Sequence, residues 1–414
     1  MAATGTEDLL RRLTPQVLGA VVRRYGNFDL AEDATQEALL AAYVQWSRDG
    51  LPDNPKAWLI TVASRRLTDL LRSDQARRRR EETVAHWAVA ETREPPGAEH
   101  RSADADDTLI LLYMCCHPSL PIASQIGLTL RAVGGLTTAE IARAFLTSEA
   151  TVTRRITRSK QSIKDSGLPF AMPGAAELPS RLDVVLRVLY LIFNEGYAST
   201  MGTNLQRVDL AEEAIRLTRA LHASLPEDSE VTGLFALMLL THARHRARSG
   251  SDGALIPMSE QDRSLWDRDA ISEGVGLITA ALPRGLTGPY QIQAAIAAVH
   301  DEAPSTEATD WPQIVALYRV LLRLDNNPVA ALNHAVAVSM DQGPQAGLEL
   351  LRQLESDPRI NADRRFHAVR AHLLEMTGNF AAARDAYEAA ARQAANLQQQ
   401  RYLHGQIARL DTGK

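Results

Sequence analysis

Thr151, Arg154, Arg155 and Arg158 stand at i, i+3, i+4 and i+7, a spacing that sets four side chains along one face of a helix. Guanidinium groups in that array can reach phosphate oxygens or guanine edges in the major groove of DNA. Val152, Ile156, Ser159 and Ile163 form a second stripe whose centre lies roughly 120° around the same helix, so burying one stripe presents the other. A plain amphipathic helix with a soluble basic face would share this spacing. Against that reading stand a capped helix just before it, a short turn and a near absence of acidic residues. A second array, Trp58, Thr61, Arg65, Thr68 and Arg72, is spaced by three, four, three and four residues, with Arg66 alongside. An indole among hydroxyls and guanidinium groups suits backbone phosphates and unstacked bases, although Trp58 taken alone fits a core boundary better. A third set, Glu32, Asp33, Gln36 and Glu37, is unsuited to DNA and suited to a protein partner.

Other residues invite catalytic or metal chemistry and do not sustain it. Cys115-Cys116-His117 joins adjacent cysteines, which chelate poorly, and there is no second pair, so burial beside a helix end is the better account. His242 and His245 are flanked by arginines and read as a partly exposed basic turn. Asn194-Glu195-Gly196-Tyr197 reads as a helix end or hinge at Gly196. Phosphate-loop, HExxH and nucleophile-elbow patterns are missing from the sequence. The expectation is a protein that is not an enzyme and carries no cofactor or metal.

The elements that must position these arrays follow from local chemistry. Thr137-Thr138-Ala139-Glu140 has capping-box spacing at the start of a short helix with Ile141, Ala142 and Phe145 on its apolar side. A break at Leu146-Thr147 leads to Ser148, a cap for the next helix. Together they predict a helix-turn-helix over residues 136–164. Asn54-Pro55 is a cap followed by proline at the first helical position, and predicts a helix to Arg72 or beyond with Leu59, Ala63, Leu67 and Leu70 buried. Upstream, residues 8–46 read as helices broken at Gly26-Asn27. A polar, acid-rich tract around Glu94-Pro95-Pro96-Gly97 is the best linker candidate, and helices resume at Asp107. Beyond Pro179 the chain reads as helix after helix. His334-Ala335-Val336 recurs as His367-Ala368-Val369, and Gly343 has a counterpart in Gly378, a period near 34 residues that suggests tetratricopeptide-like pairs.

The chain has 414 residues, about three times the ~150-residue domain size, with 45% apolar and 23% charged residues, so several ordinary globular units are expected. Two cysteines build no disulfide framework, and no apolar run reaches the ~18 residues of a membrane span, which points to the cytoplasm. The net charge of −5 conceals an uneven distribution. Residues 1–170 carry +1 and the remainder −6, while Lys56–Arg80 and Arg143–Lys164 are islands of +6 and +5. Two basic islands in an acidic chain suggest two separate phosphate-contacting surfaces.

Taken together, Asp29-Leu30-Ala31-Glu32-Asp33-Ala34-Thr35-Gln36-Glu37-Ala38 followed by Asn54-Pro55-Lys56-Ala57-Trp58-Leu59 resembles the second region of extracytoplasmic-function (ECF) sigma factors. Val133 to Ile156 resembles their fourth region, and the long helical extension is similar to one subgroup of that family. The resemblance implies an all-α fold in four parts. These are a region-2 domain at 1–80, a flexible acidic linker at 81–106, a region-4 helix-turn-helix domain at 107–168, and an extension at 169–414 with tetratricopeptide-like repeats clearest at 312–414. It further implies that Asp33, Gln36, Glu37 and Leu40 bind the β′ clamp helices of core RNA polymerase, with the β flap as a further partner. The loop Ser47–Asp53 and Trp58, Thr61, Arg65, Arg66 and Arg72 would melt and read a minus-ten element, and Thr151, Arg154, Arg155 and Arg158 a minus-thirty-five element. The extension would control activity in place of a separate regulator, through an intramolecular contact or by binding a regulatory protein. The turn departs from many relatives in having Leu146 where they have glycine. A conventional helix-turn-helix regulator with a repeat domain is the alternative, and it needs neither the acidic helix nor the first basic one.

Overall fold

A computed structural model describes residues 2–82, 102–145, 147–167, 169–199, 201–250, 253–285, 288–357, 359–360 and 363–411. Most of the proposed linker, including Glu94–Gly97, lies outside these residues, as do Leu146 and the side chains of Arg77–Arg80. Among the described residues the fold is all-α. Extended pairing is limited there to two isolated bridges, Gly202 with Asn396 and Ser249 with Leu255. The chain divides into two compact units, Met1–Leu191 and Ile192–Lys414.

The first unit begins with Ala2–Tyr25 (α1), Phe28–Asp49 (α2) and Pro55–Glu82 (α3). The break between α1 and α2 has a local cause. Gly26 takes φ 69°, a conformation open to glycine, and Asn27 Oδ1 accepts from the Leu30 amide at 3.1 Å to start the next helix. Asn54 caps α3 in the same way, accepting from the Ala57 amide at 3.0 Å. Leu18, Leu59 and Leu67 are fully buried where the three helices meet. Ser102–Cys115 (α4) starts five residues before the expected Asp107, and Ile122–Ala132 (α5), Thr138–Ala144 (α6) and Glu149–Ser166 (α7) follow. Cys115 and Cys116 are buried at the end of α4, and burial pushes the Cys116 thiol up to about 12, so both are inert core residues.

Leu178–Tyr197 (α8) runs across the division between the units. Its residues up to Leu191 belong to the first unit, where buried Arg181 donates from Nη2 to the Tyr113 carbonyl at 2.6 Å. The sequence placed the boundary at 168/169, whereas the compact unit continues to Leu191.

The second unit comprises the end of α8, Val208–Ser224 (α9), Ser229–Ala243 (α10), Arg268–Ala281 (α11), Pro289–Glu302 (α12), Trp311–Leu324 (α13), Pro328–Gln342 (α14), Pro344–Leu354 (α15), Arg364–Met376 (α16), Phe380–Gln393 (α17) and Leu397–Asp411 (α18). Of the two readings of Gly196, helix end and hinge, the structure shows the helix end. Gly196 lies within the last turn of α8, and a Cβ there would come within 2.3 Å of the Ala211 amide nitrogen, so glycine allows α8 and α9 to touch backbone to backbone. From α13 onward each helix packs on the next. The repeat period spans two helices: His334 and His367 start equivalent stretches of α14 and α16, and Gly343 (φ 93°) and Gly378 (φ 78°) make the turns that follow them. Asn396 then ties the last helix to the start of the unit, donating from Nδ2 to the Ser199 and Asn204 carbonyls at 3.3 and 2.8 Å.

Candidate nucleic-acid interface

The helix-turn-helix forms as its local chemistry dictates. Glu140 Oε2 accepts from the Thr137 amide at 2.7 Å while the Glu140 amide donates to Thr137 Oγ1 at 3.2 Å, a reciprocal capping box at the start of α6. Burial opposes ionisation of Glu140, but these hydrogen bonds and Arg11 hold its carboxyl below the usual range. Ser148 Oγ accepts from the Thr151 amide at 3.2 Å and starts α7, and Gly167 ends it in the left-handed conformation. Val152, Ile156, Ser159 and Ile163 are buried as their spacing demands. Arg154 and Arg158 are exposed on the other face, with Thr151 and Arg155 half-buried at its margin. Arg154 is pre-oriented by its own helix, with Nε donating to the Ala150 carbonyl at 3.3 Å.

On α3 the second array divides. Thr61, Arg65, Thr68 and Arg72 line one open groove of about 490 Å³, completed by Arg24 and Tyr25 of α1. Trp58 is half-buried and packs edge-on against the buried Trp46, ring centroids 5.4 Å apart, so its first duty is to hold α3 on α2. Arg66 faces away from the groove, its Nε 3.5 Å from Glu37 on α2. The structure therefore brings Thr61, Arg65 and Arg72 together and sets Trp58 and Arg66 apart from them.

The acidic helix has two faces. Asp33, Glu37 and Leu40 are exposed, with Gln36 half-buried beside them, and the stripe continues apolar: Leu40 is 64% exposed and Val44 70%. Tyr43 and Val44 were missed from sequence, although 33, 37, 40 and 44 share one helical face. The stripe is thus an exposed surface that passes from acidic to apolar along one face of α2.

The other face carries a feature that sequence reasoning did not find. Lys160 of α7 is buried, and its Nζ lies 3.0 Å from Asp29 Oδ1, 3.0 Å from Glu32 Oε2 and 2.6 Å from Asp33 Oδ1. Arg131 Nε holds the other oxygen of buried Glu32 at 2.9 Å. Burial alone would depress the Lys160 ammonium, but the surrounding carboxylates hold its pKa well above that of ordinary lysine. Burial pushes the Asp33 carboxyl up, and Lys160 pulls it only part of the way back. Further ion pairs join the same two parts of the unit, Arg11 with Glu140 at 2.8 Å and Arg23 with Asp107. The helix bearing the Arg face and the helix bearing the acidic face are thus clasped together.

Comparisons with known proteins agree with this layout. Residues 9–78 match Sigma-70 region 2, residues 110–163 match Sigma-70 region 4, and residues 181–282 match a family of unknown function (DUF6596). An uncharacterized protein from Rhizobium meliloti (strain 1021) is 42% identical across 99% of this chain and 97% of its own length. The probable ECF RNA polymerase sigma factor SigI of Mycobacterium tuberculosis is 28% identical over 43% of this chain and 59% of its own. The ECF RNA polymerase sigma factor SigK of Mycobacterium ulcerans is 28% identical over 36% of this chain and 79% of its own.

Proposed function

We propose that this chain, which belongs to the extracytoplasmic-function sigma factors with a C-terminal helical extension, binds core RNA polymerase and directs promoter recognition and DNA opening. The observation that carries the reading is the pairing of two surfaces in one unit. A capped helix exposes arginines, and a second helix exposes an acidic and apolar stripe that DNA would repel. Members of this family are non-enzymatic initiation factors, so every role is one of binding.

In this reading Asp33, Gln36, Glu37 and Leu40, with Tyr43 and Val44, dock on the clamp helices of the polymerase. Thr61, Arg65 and Arg72 follow the backbone of the minus-ten element. Thr151, Arg154, Arg155 and Arg158 enter the major groove of the minus-thirty-five element, where each bidentate guanidinium contact discriminates by about 1–3 kcal/mol. Asp33 cannot serve Lys160 and a polymerase cation equally, so loading onto polymerase exchanges one partner for the other. The extension controls that activity.

Glu37→Lys combined with Leu40→Asp tests the docking surface without touching the Lys160 cluster. Co-migration of the full chain with core polymerase is expected to be lost while circular dichroism stays unchanged. Assembly equal to the parent chain would remove the proposed role from α2.

A further inference from the structure

The second unit contains a cleft of about 350 Å³ between α10, α12, α13 and α14, with Met258 closing one side. This volume lies at the lower end of the range for small-molecule sites. Its walls are largely apolar and aromatic: Leu237, Ile296, Ile314, Val336, Trp311 and Tyr318. Thr241, Gln293, His300 and Asn333 add polar groups, and Arg244 is the one charged residue in the wall among the described residues.

Arg244 is 8% exposed and poorly satisfied. A guanidinium has five N–H donors. Here Nη1 meets the thioether sulfur of Met258, a weak acceptor, and Nε has no hydrogen-bond partner. Asp301 lies behind it, fully buried, with Oδ1 3.6 Å from Nε, too far for a hydrogen bond, and both of its carboxylate oxygens lack partners. Arg244 also lies 5.9 Å from the centre of the buried Trp266 ring, which carries Arg263 at 4.4 Å. Buried guanidinium groups are ordinarily saturated with acceptors, and one left open in the wall of an apolar cleft is unusual. Asp301 offsets its charge without a hydrogen bond to it, leaving Nε without an acceptor and Nη1 on a weak one that a guest's carboxylate oxygen can replace.

We infer that this cleft is a binding site for a small carboxylate with an apolar body, its carboxylate on Arg244 and its hydrocarbon against Ile296, Ile314, Trp311 and Tyr318. The charge-assisted contact supplies orientation, and the apolar walls supply the burial. Thr241 and Gln293 line the same cleft and add polar groups to it. The inference is independent of the sigma-factor reading, since it rests on the second unit alone.

Phenylacetate serves as the probe, phenylacetamide as its uncharged counterpart and acetate as the charge without the body, each titrated into the full-length protein by calorimetry. Phenylacetate is expected to bind at one site with Kd of about 1 mM or tighter, at least tenfold better than either control. Two variants locate the site. Arg244→Gln with Asp301→Asn removes both charges together, so neither is left buried alone, and should weaken binding at least tenfold. Asn333→Trp narrows the mouth from an exposed position on α14, where the fold tolerates it, and should abolish binding even if the first variant fails to fold. Four results overturn the inference: no saturable binding up to about 10 mM, equal binding of phenylacetamide, binding unchanged in the folded Arg244→Gln, Asp301→Asn chain, or binding unchanged in Asn333→Trp.

Discussion

Lys160 is the residue on which the arrangement of the first unit turns. One ammonium group serves three carboxylates within 3.0 Å, and it reaches from α7 to α2. Lys160→Met leaves Glu32 buried with Arg131 as its cation, and releases Asp29 and Asp33, which keep partial access to water. Breaking a fully buried pair costs 3–5 kcal/mol, so a loss of roughly 2–4 kcal/mol is expected here, measured by denaturant unfolding. The amides of α7 should exchange with solvent faster in the same variant. Unchanged stability and exchange would mean that the clasp contributes nothing. Arg154 and Arg158 carry the second prediction at this scale. Replacing either with alanine should weaken binding of an upstream promoter element by about 1–3 kcal/mol and relax base preference there, if the contact is bidentate to a base. A phosphate contact would weaken all sequences alike and lower the salt slope by about one. Binding unchanged in both respects would place the reading face elsewhere on α7.

At the scale of helices, the exposed half of α2 can be separated from its buried half. Val44→Asp changes a side chain that is 70% exposed, so stability should shift by no more than about 0.5 kcal/mol. Affinity for core polymerase, read by titration of a labelled chain, should fall at least tenfold. In the second unit the histidines of α10 and α12 set a dependence on pH. Burial pushes His242 down to about 4, helped by its stacked neighbour His245, and burial with Arg244 and Arg263 brings His300 to about 4. Both groups are depressed relative to the unfolded value near 6.5, so their stabilisation is complete above that pH and is lost as the pH falls towards 4. Asp301 is raised to about 6 by burial and runs the other way, its contribution being lost as pH rises through 6. Two histidines oppose one carboxyl, so the melting temperature of the second unit should fall from about pH 7 to about pH 5, and His300→Phe should flatten the fall. A melting temperature that rises on acidification would contradict this assignment. What was legible in the sequence follows the same division between local and distant. The break at Gly26-Asn27, the caps at Asn54, Thr137 and Ser148 and the stripes of α3 and α7 depend on residues a few positions apart, and the sequence carries them openly. Lys160 looked like one more cation of a basic helix, because its partners lie about 130 positions away. Arg244 gave no sign either, since its cleft is assembled from four helices and a loop. Gly196 was read as a helix end or hinge; the helix end is there, but its close contact with Ala211 of the following helix depends on how α8 and α9 pack, which local sequence does not carry.

For the whole molecule, charge and division into units set the remaining expectations. The extension is acidic, while the basic islands lie in the first unit. A truncation intended to isolate the sigma part must respect α8. Cutting after Gly167 would remove Arg181 from the Tyr113 carbonyl and damage the first unit, whereas cutting after Tyr197 keeps that helix whole. If the extension supports activity, the chain ending at Tyr197 should give less transcript than the full chain; if it masks the basic surfaces, it should give more. Equal output across several salt concentrations would remove the extension from control of initiation. The central claim is that this chain confers promoter selection on polymerase, and run-off transcription with purified core polymerase and a genomic promoter library tests it most directly. Discrete transcripts are expected that appear only when this chain is added to core polymerase and disappear when Arg154 and Arg158 are both changed to alanine. Sequence-specific DNA binding with no core-dependent transcript from any promoter would contradict it.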